Sequence, residues 1–208
     1  MKILRGTLLN EKNPLFGATC FSASAGQHRV FENNYLDKMK TALYFGYGSN
    51  MSTQYLVKRR KIIPLESQTA LLKDYELIMN MGGPNFLEPS FANIRPSKGS
   101  TVEGVIHKID KQDLQKIVNT EGEDYQLAKL SVEMEGKRKT AYTLIYITEE
   151  TKDIPPSKRY LKILINAAKE NNLSTSYIEK LEKRPNVYYP LLSEIFSVRV
   201  YMWVWLRT

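Results

Sequence analysis

Thiols and imidazoles are scarce in this chain. Cys20 is the sole cysteine, which excludes an intrachain disulfide and points to a reducing compartment, the cytoplasm. His28 and His107 are the two histidines. Three or four soft ligands for a structural zinc cannot be assembled, and a histidine-centred triad has few candidates. No apolar run approaches the ~20 residues that span a bilayer. The stretch from Val200 to Leu206 is apolar but far too short, and the first residues lack the apolar core of a secretory signal. Glycine and proline, 11 and 9 in number, are too few for a collagen-like or low-complexity chain. What remains is ordinary globular composition. The 208 residues, 42% hydrophobic and 25% charged, suit one domain with a real core better than two.

A formal net charge of +8 raises the question of a nucleic-acid partner. Its distribution argues against one. The net charge is +3 over residues 1–40, zero over 41–151 and +5 over 152–208, so the excess sits on the flanks. The densest run, Lys58-Arg59-Arg60-Lys61, has the chemistry to meet phosphates. It also reads as a solvated helix end, where cations suit the dipole.

Residues 1–40 show no sustained periodicity, and the small-residue stretch from Gly17 to Gly26 reads as a flexible extension. A domain is expected over 41–208. The apolar run Ala42–Tyr47 predicts a buried strand, closed by the tight loop Gly48-Ser49-Asn50. Ser52 is placed to cap a helix through about Arg60. Strands are expected near Thr69–Met79, Phe91–Ile94 and Val102–Ile109, with a turn at Met81–Asn85. Asp110 reads as the cap of a helix over Lys111–Asn119 that stops at Gly122. Two more strands, marked by Leu127–Met134 and Tyr142–Tyr146, flank a turn at Glu135-Gly136-Lys137. Pro155-Pro156-Ser157 opens a helix through Asn171, and a second covers about Thr175–Lys183. This order lacks the strict alternation of a doubly wound fold. It predicts an α+β protein with a mixed or antiparallel, barrel-like sheet and helices outside.

Two sets of residues have the makings of a site. Gly46-Tyr47-Gly48-Ser49-Asn50 joins a strand to a helix start and presents backbone N–H groups that suit carboxylates, phosphates or a developing oxyanion. It is neither a dinucleotide fingerprint nor a P-loop. Glu121 stands beside Glu123 and Asp124. Neighbouring acids and burial both raise a carboxyl pKa, which would suit a general base; a solvated acidic loop reads equally from the same residues. Tyr160 can lend a hydroxyl to a cleft or simply pack. Arg95 can meet a substrate carboxylate or sit on a rim. His107 on its strand reads as a packed or surface residue.

Taken in order, these segments resemble the γ-glutamylcyclotransferase family. Tyr44-Phe45-Gly46-Tyr47-Gly48-Ser49-Asn50-Met51 is similar to its opening strand and Tyr-Gly-Ser-Asn-Leu motif. Val102-Glu103-Gly104-Val105 is similar to its Val-x-Gly-Val strand. Glu121-Gly122 resembles its Glu-Gly step, and Pro155–Tyr160 with Ala167–Leu173 resembles its C-terminal helix. The likeness covers about residues 42–186. Gly46 stands where alanine is usual, Met51 where leucine is usual, and the stretch from Glu121 to Tyr125 is short for the animal enzymes.

The resemblance implies an α+β barrel with flanking helices. It implies a γ-glutamyl group bound by Tyr44, Phe45, Gly46, Tyr47, Gly48 and Ser49, largely through backbone amides. Glu121 would transfer the proton, and Tyr160 would line the same cavity. The implied reaction converts a γ-glutamyl-amino acid to 5-oxoproline and the free amino acid. It needs no metal and no cofactor. The implied partner is a small-molecule γ-glutamyl substrate, without nucleic acid or membrane, and a homodimer is compatible with it. A γ-glutamyl-amine, glutathione or another γ-glutamylated metabolite is the alternative substrate. A non-catalytic basic binding module is the alternative of another class.

Overall fold

The computed structural model of the protein describes residues 40–121 and 124–205, with side chains described to residue 199. Apart from Lys40, the expected extension over residues 1–40 lies outside them, as does Gly122.

Five strands close into a barrel in the order β1-β3-β2-β4-β5. They are β1 (Thr41–Gly46), β2 (Glu66–Asn85), β3 (Glu88–Asp110), β4 (Tyr125–Met134) and β5 (Lys137–Tyr146). Every neighbouring pair is antiparallel except β1 and β5, which meet in parallel at Tyr44 and Tyr142. Closure leaves no unpaired edge along the barrel wall. The helices are α1 (Thr53–Arg60), α2 (Lys111–Glu121), α3 (Lys158–Glu170), α4 (Thr175–Glu182) and α5 (Leu192–Trp205). The expected α+β barrel is therefore what forms.

Two expected breaks are not breaks. Met81–Asn85 continues β2 instead of turning, and the chain reverses at Phe86-Leu87, where Asn85 Oδ1 accepts from the N–H groups of Leu87 and Glu88 at 2.9 and 3.1 Å. The strands expected at Phe91–Ile94 and Val102–Ile109 are one strand. Pro96–Ser100, between the two expected strands, forms the outer side of a bulge. Asp74 takes φ 60° opposite it, Gly99 takes φ 80°, and the Gly99 N–H donates to Asp74 Oδ1 at 2.9 Å. A bulge bends a long hairpin without ending its pairing. The β4/β5 turn forms as expected, with positive φ at Glu135 and Gly136.

Capping explains the helix starts. Ser52 accepts from Tyr55 N–H, Ser157 from Tyr160 N–H and Ser174 from Tyr177 N–H. Asp110 is the last residue of β3, paired with Thr41, and stands immediately before α2, which runs two residues past Asn119 to reach Glu121. The apolar face of α3, Tyr160, Leu161, Leu164, Ala167 and Ala168, is buried, and all of it but Leu161 joins the barrel core of Phe45, Leu72, Met79, Ile94 and Val105. The apolar stretch near the end of the chain is helical in α5, with Leu192, Ile195 and Val198 exposed. Among the described residues no helix is long and apolar enough to cross a membrane.

Close approach at two glycines lets β1 pass into the loop. A Cβ on Gly46 would lie 2.6 Å from Asn50 O, and one on Gly104 would lie 2.4 Å from Gly46 O and 2.7 Å from the Phe45 ring. The backbone contact at Gly104 cannot give way as a flexible side chain would. Gly104→Ala is expected to destabilise the protein by about 1–3 kcal/mol, as overpacking does. Thermal unfolding should show a fall of several degrees; a melting temperature within a degree of the parent would show that the barrel wall yields there.

Candidate functional site

The end of β1, the first turn of α1, the last turn of α2 and the inner face of α3 enclose one cavity of about 600 Å³. Tyr44, Tyr47, Gly48, Ser49, Glu121 and Tyr160 all line it. Phe45 and Gly46 lie off its wall: the Phe45 ring is buried in the barrel, and Gly46 lies under Asn50. Arg95 is also elsewhere, paired with Glu76 at 2.7 Å and donating to Thr151 O.

The loop after β1 is a short 3-10 turn, Ser49–Met51, closed by Met51 N–H donating to Gly48 O and Ser52 N–H donating to Ser49 O. Among the described residues the N–H groups of Gly48, Ser49 and Asn50 have no partner. Such a run of free N–H groups beside a cavity attracts negative charge. Asn50 holds the loop from several sides. Its Nδ2 donates to Tyr44 Oη at 3.0 Å and to Glu121 Oε1 at 2.9 Å. Its Oδ1 accepts from Arg60 Nε at 3.1 Å, and its backbone carbonyl lies 2.9 Å from His107 Nε2.

Glu121 closes α2 with its carboxyl turned to this loop. Oε1 takes the Asn50 amide and the Arg60 guanidinium, while Oε2 has no partner among the described residues. The group in contact with the carboxylate is thus a cation, where the sequence suggested neighbouring acids; Glu123 lies outside the described residues. Arg60 also reaches Thr120 Oγ1, and its side chain is 9% exposed. The basic run is therefore not wholly a solvated helix end. Lys58 and Arg59 are exposed, but Arg60 turns inward four residues beyond the buried Leu56.

Five tyrosines line the same space, Tyr44, Tyr47, Tyr55, Tyr125 and Tyr160. The Tyr160 hydroxyl accepts from Ala92 N–H at 3.2 Å and would lie 3.3 Å from a Cβ at Gly48. The Phe91 ring meets Tyr160 edge-on at 4.9 Å. The Tyr47 hydroxyl donates to Leu144 O. Tyr125 lines the wall and packs edge-on against Tyr146. Burial pushes the hydroxyls of Tyr44, Tyr47, Tyr125 and Tyr160 above the ordinary tyrosine range, and the Glu121 charge adds to the rise in each. They stay protonated, as donors or acceptors and not as bases. Among the described residues no group of three His, Cys, Asp or Glu is placed to hold a metal ion.

Comparison with known proteins gives this arrangement a class and then a family. An AIG2-like family model matches residues 101–181. A solved structure of a gamma-glutamyl cyclotransferase superposes with a TM-score of 0.64 at 29% identity, covering 73% of this chain and 92% of the other. The chain is 33% identical over 162 residues to the gamma-glutamylcyclotransferase of Bos taurus, covering 73% of this chain and 84% of that one. It is 30% identical over 171 residues to the gamma-glutamyl cyclotransferase gliK of Claviceps purpurea (strain 20.1), covering 76% and 77%. The chain belongs to the γ-glutamylcyclotransferase family. These likenesses support a cyclotransferase activity in general terms.

His107 supports the loop from beneath. It is fully buried on β3, between Ser67 Oγ on Nδ1 at 2.8 Å and Asn50 O on Nε2 at 2.9 Å. A carbonyl only accepts, so Nε2 carries the hydrogen and Nδ1 accepts from Ser67. Burial lowers the pKa to about 4, with the hydrogen bonds to the loop backbone opposing the fall. An unfolded histidine titrates near 6.5. Between those values the unfolded chain gains a proton that the folded one refuses, so stability is complete above about pH 6.5 and is lost as pH falls towards 4. The loss between pH 7 and pH 4.5 should be on the order of 2–3 kcal/mol. Urea unfolding at the two pH values should show it, and His107→Gln should remove most of the difference; an equal loss in both proteins would assign the acid sensitivity to other groups.

Proposed function

We propose that the chain is a γ-glutamylcyclotransferase that converts γ-glutamyl-amino acids to 5-oxoproline and the free amino acid, in the reducing cytoplasm. One observation carries the reading most: the carboxyl group of Glu121 is held at 2.9 Å by the side-chain amide of Asn50, in the loop whose N–H groups are free, and loop, carboxyl and Tyr160 line a single cavity.

A γ-glutamyl amide contains its own nucleophile. The substrate's α-ammonium gives a proton to Glu121, and the freed amine attacks the γ-carbonyl carbon. A five-membered ring forms with the negative charge on the former carbonyl oxygen. Collapse breaks the old amide C–N bond. Glu121 returns the first proton to the departing nitrogen, and the ring nitrogen's remaining extra proton passes to the same amine, so that a neutral lactam and an ammonium result. Intramolecular attack supplies much of the rate, since effective molarities reach about 10⁵ M or more in well-oriented rings. The protein's tasks are then few. The N–H groups of Gly48, Ser49 and Asn50 hold the glutamyl group and take the oxyanion. Asn50 and Arg60 fix Oε1 of Glu121, so Oε2 is the oxygen that meets the amine. Tyr44, Tyr47 and Tyr160 shape the wall around the folded chain.

The experiment is incubation of the purified protein with a panel of γ-glutamyl dipeptides, a γ-glutamyl-amine and glutathione, scoring 5-oxoproline. Release from at least one dipeptide is expected without added metal. Glu121→Gln keeps the shape but cannot accept the ammonium proton, so kcat should fall by at least ~10²-fold with substrate affinity nearly unchanged. Glu123→Gln and Asp124→Asn should stay close to the parent. Folded wild-type protein that yields no product across the panel would overturn the activity, and Glu121→Gln turnover within a few-fold of wild type would move the proton transfer to another residue.

A further inference from the structure

Arg159 lines the cavity from the first turn of α3. A cation there opposes the helix dipole, and something in the fold must hold it. Its Nε donates to Glu88 Oε1 at 2.7 Å. Glu88 is 2% exposed at the head of β3, and the same Oε1 also accepts from Ser157 Oγ, the cap of α3, at 2.9 Å. The pair is single-pronged. Glu88 Oε2 is buried without a partner, and Nη1 and Nη2 of Arg159 engage nothing among the described residues. An arginine paired only for anchorage would use its fork on both carboxylate oxygens. Here the inner nitrogen is fixed and the two outer ones are left over in a cavity wall.

Three cations line the cavity, Lys58, Arg59 and Arg159. Lys58 and Arg59 are exposed on α1, with Arg59 over the Tyr55 ring at 5.9 Å, and Arg60 beside them is not in the lining and is consumed by Glu121, Asn50 and Thr120. Arg159 alone of the three is aimed by a buried carboxylate. Arg159 keeps two unused, oriented donors, with Met81 and Phe91 also in the lining. Two parallel N–H groups on a planar cation match one carboxylate. A γ-glutamyl-amino acid carries a carboxylate on each side of the scissile bond, and the glutamyl side has the free N–H groups after β1 to receive it.

We propose that Arg159, aimed by Glu88 and Ser157, binds the carboxylate of the departing amino acid and thereby selects γ-glutamyl-amino acids over γ-glutamyl-amines. This inference rests on the cyclotransferase reading for its substrate but is read out by binding, so the two fail separately. Calorimetric titration of the Glu121→Gln protein, in which turnover is expected to be slowed at least ~10²-fold, compares γ-glutamylalanine with γ-glutamylethylamide, the same ligand without the departing carboxylate. The dipeptide should bind about tenfold tighter or more, as a charge-assisted contact predicts. Arg159→Gln should abolish that preference and leave the ethylamide affinity within about twofold. Arg159→Gln alone strands a buried carboxylate, which is costly. Arg159→Gln with Glu88→Gln removes both charges and keeps the reading if the single variant unfolds. A preference that survives the substitution overturns the proposal. So does an equal loss for both ligands, which would put Arg159 on the glutamyl carboxylate, and so does failure of either ligand to bind. Absence of 5-oxoproline from wild type, with the binding preference intact, would overturn the activity alone.

Discussion

Asn50 is the joint on which the site depends. It stands one residue outside the barrel core, and its side-chain amide and its carbonyl are both fully engaged. The carbonyl is held by His107 of β3, Oδ1 by Arg60 of α1, and Nδ2 is divided between Tyr44 of β1 and Glu121 of α2. Four separate elements are thus fixed relative to one loop. A network of that kind is rigid when complete and expensive when one member is missing. The same contacts leave the N–H groups of the loop unpaired, so the barrel spends its hydrogen bonds on holding a strip of donors in place. Preorganised donors need no rearrangement as charge develops, which is where such groups act most strongly.

The second support comes from the opposite side. Ser52, besides capping α1, donates to Glu170 Oε2 at 2.8 Å, and Asn171 Nδ2 donates to Met51 O at 3.1 Å. The end of α3 is thereby tied to the end of the loop, while its start carries Tyr160 and Arg159. One helix spans the cavity and is pinned at both ends, by Glu88 through Ser157 and by the loop through Asn171. A cyclisation needs this more than it needs reactive groups. In the reaction proposed above a flexible glutamyl chain would lose its freedom on binding, and a wall that does not move would make the lost freedom productive.

Much of this was legible in the chain because local pattern and tertiary role coincide. The apolar strand, the glycine-rich loop and the serine caps each announce themselves by residue type, and the order of elements excluded a doubly wound sheet. Three features were hidden for physical reasons. A bulged hairpin carries turn chemistry at Asp74 and Pro96–Gly99 while its pairing continues, so one strand reads as two. Arg60 is indistinguishable in composition from Lys58 and Arg59; only its helical phase with Leu56 turns it inward, and only the fold puts Glu121 there to meet it. His107 looks like any strand histidine until a carbonyl from residue 50 is seen above it.

The location of the charge becomes meaningful once these contacts are known. The block from residue 41 to 151 is neutral overall, yet it contains the pairing of Arg60 with Glu121 and supplies Glu88 to Arg159 from the flanking segment. Neutrality here is not an absence of charge: Arg60 and Glu121 pair within the block, and Glu88 pairs with a cation outside it. Each pair sits where one partner alone would be buried at a loss, and in each a single carboxylate oxygen carries the contacts: Oε1 of Glu121 and Oε1 of Glu88. The unused atoms are then placed asymmetrically. Glu121 leaves a carboxylate oxygen free, whereas the Glu88 pair leaves guanidinium nitrogens free. A cavity with a free carboxylate oxygen in one part of its wall and free cationic donors in another is polarised, and it favours a zwitterionic amide that brings its ammonium to the first and a carboxylate to the second.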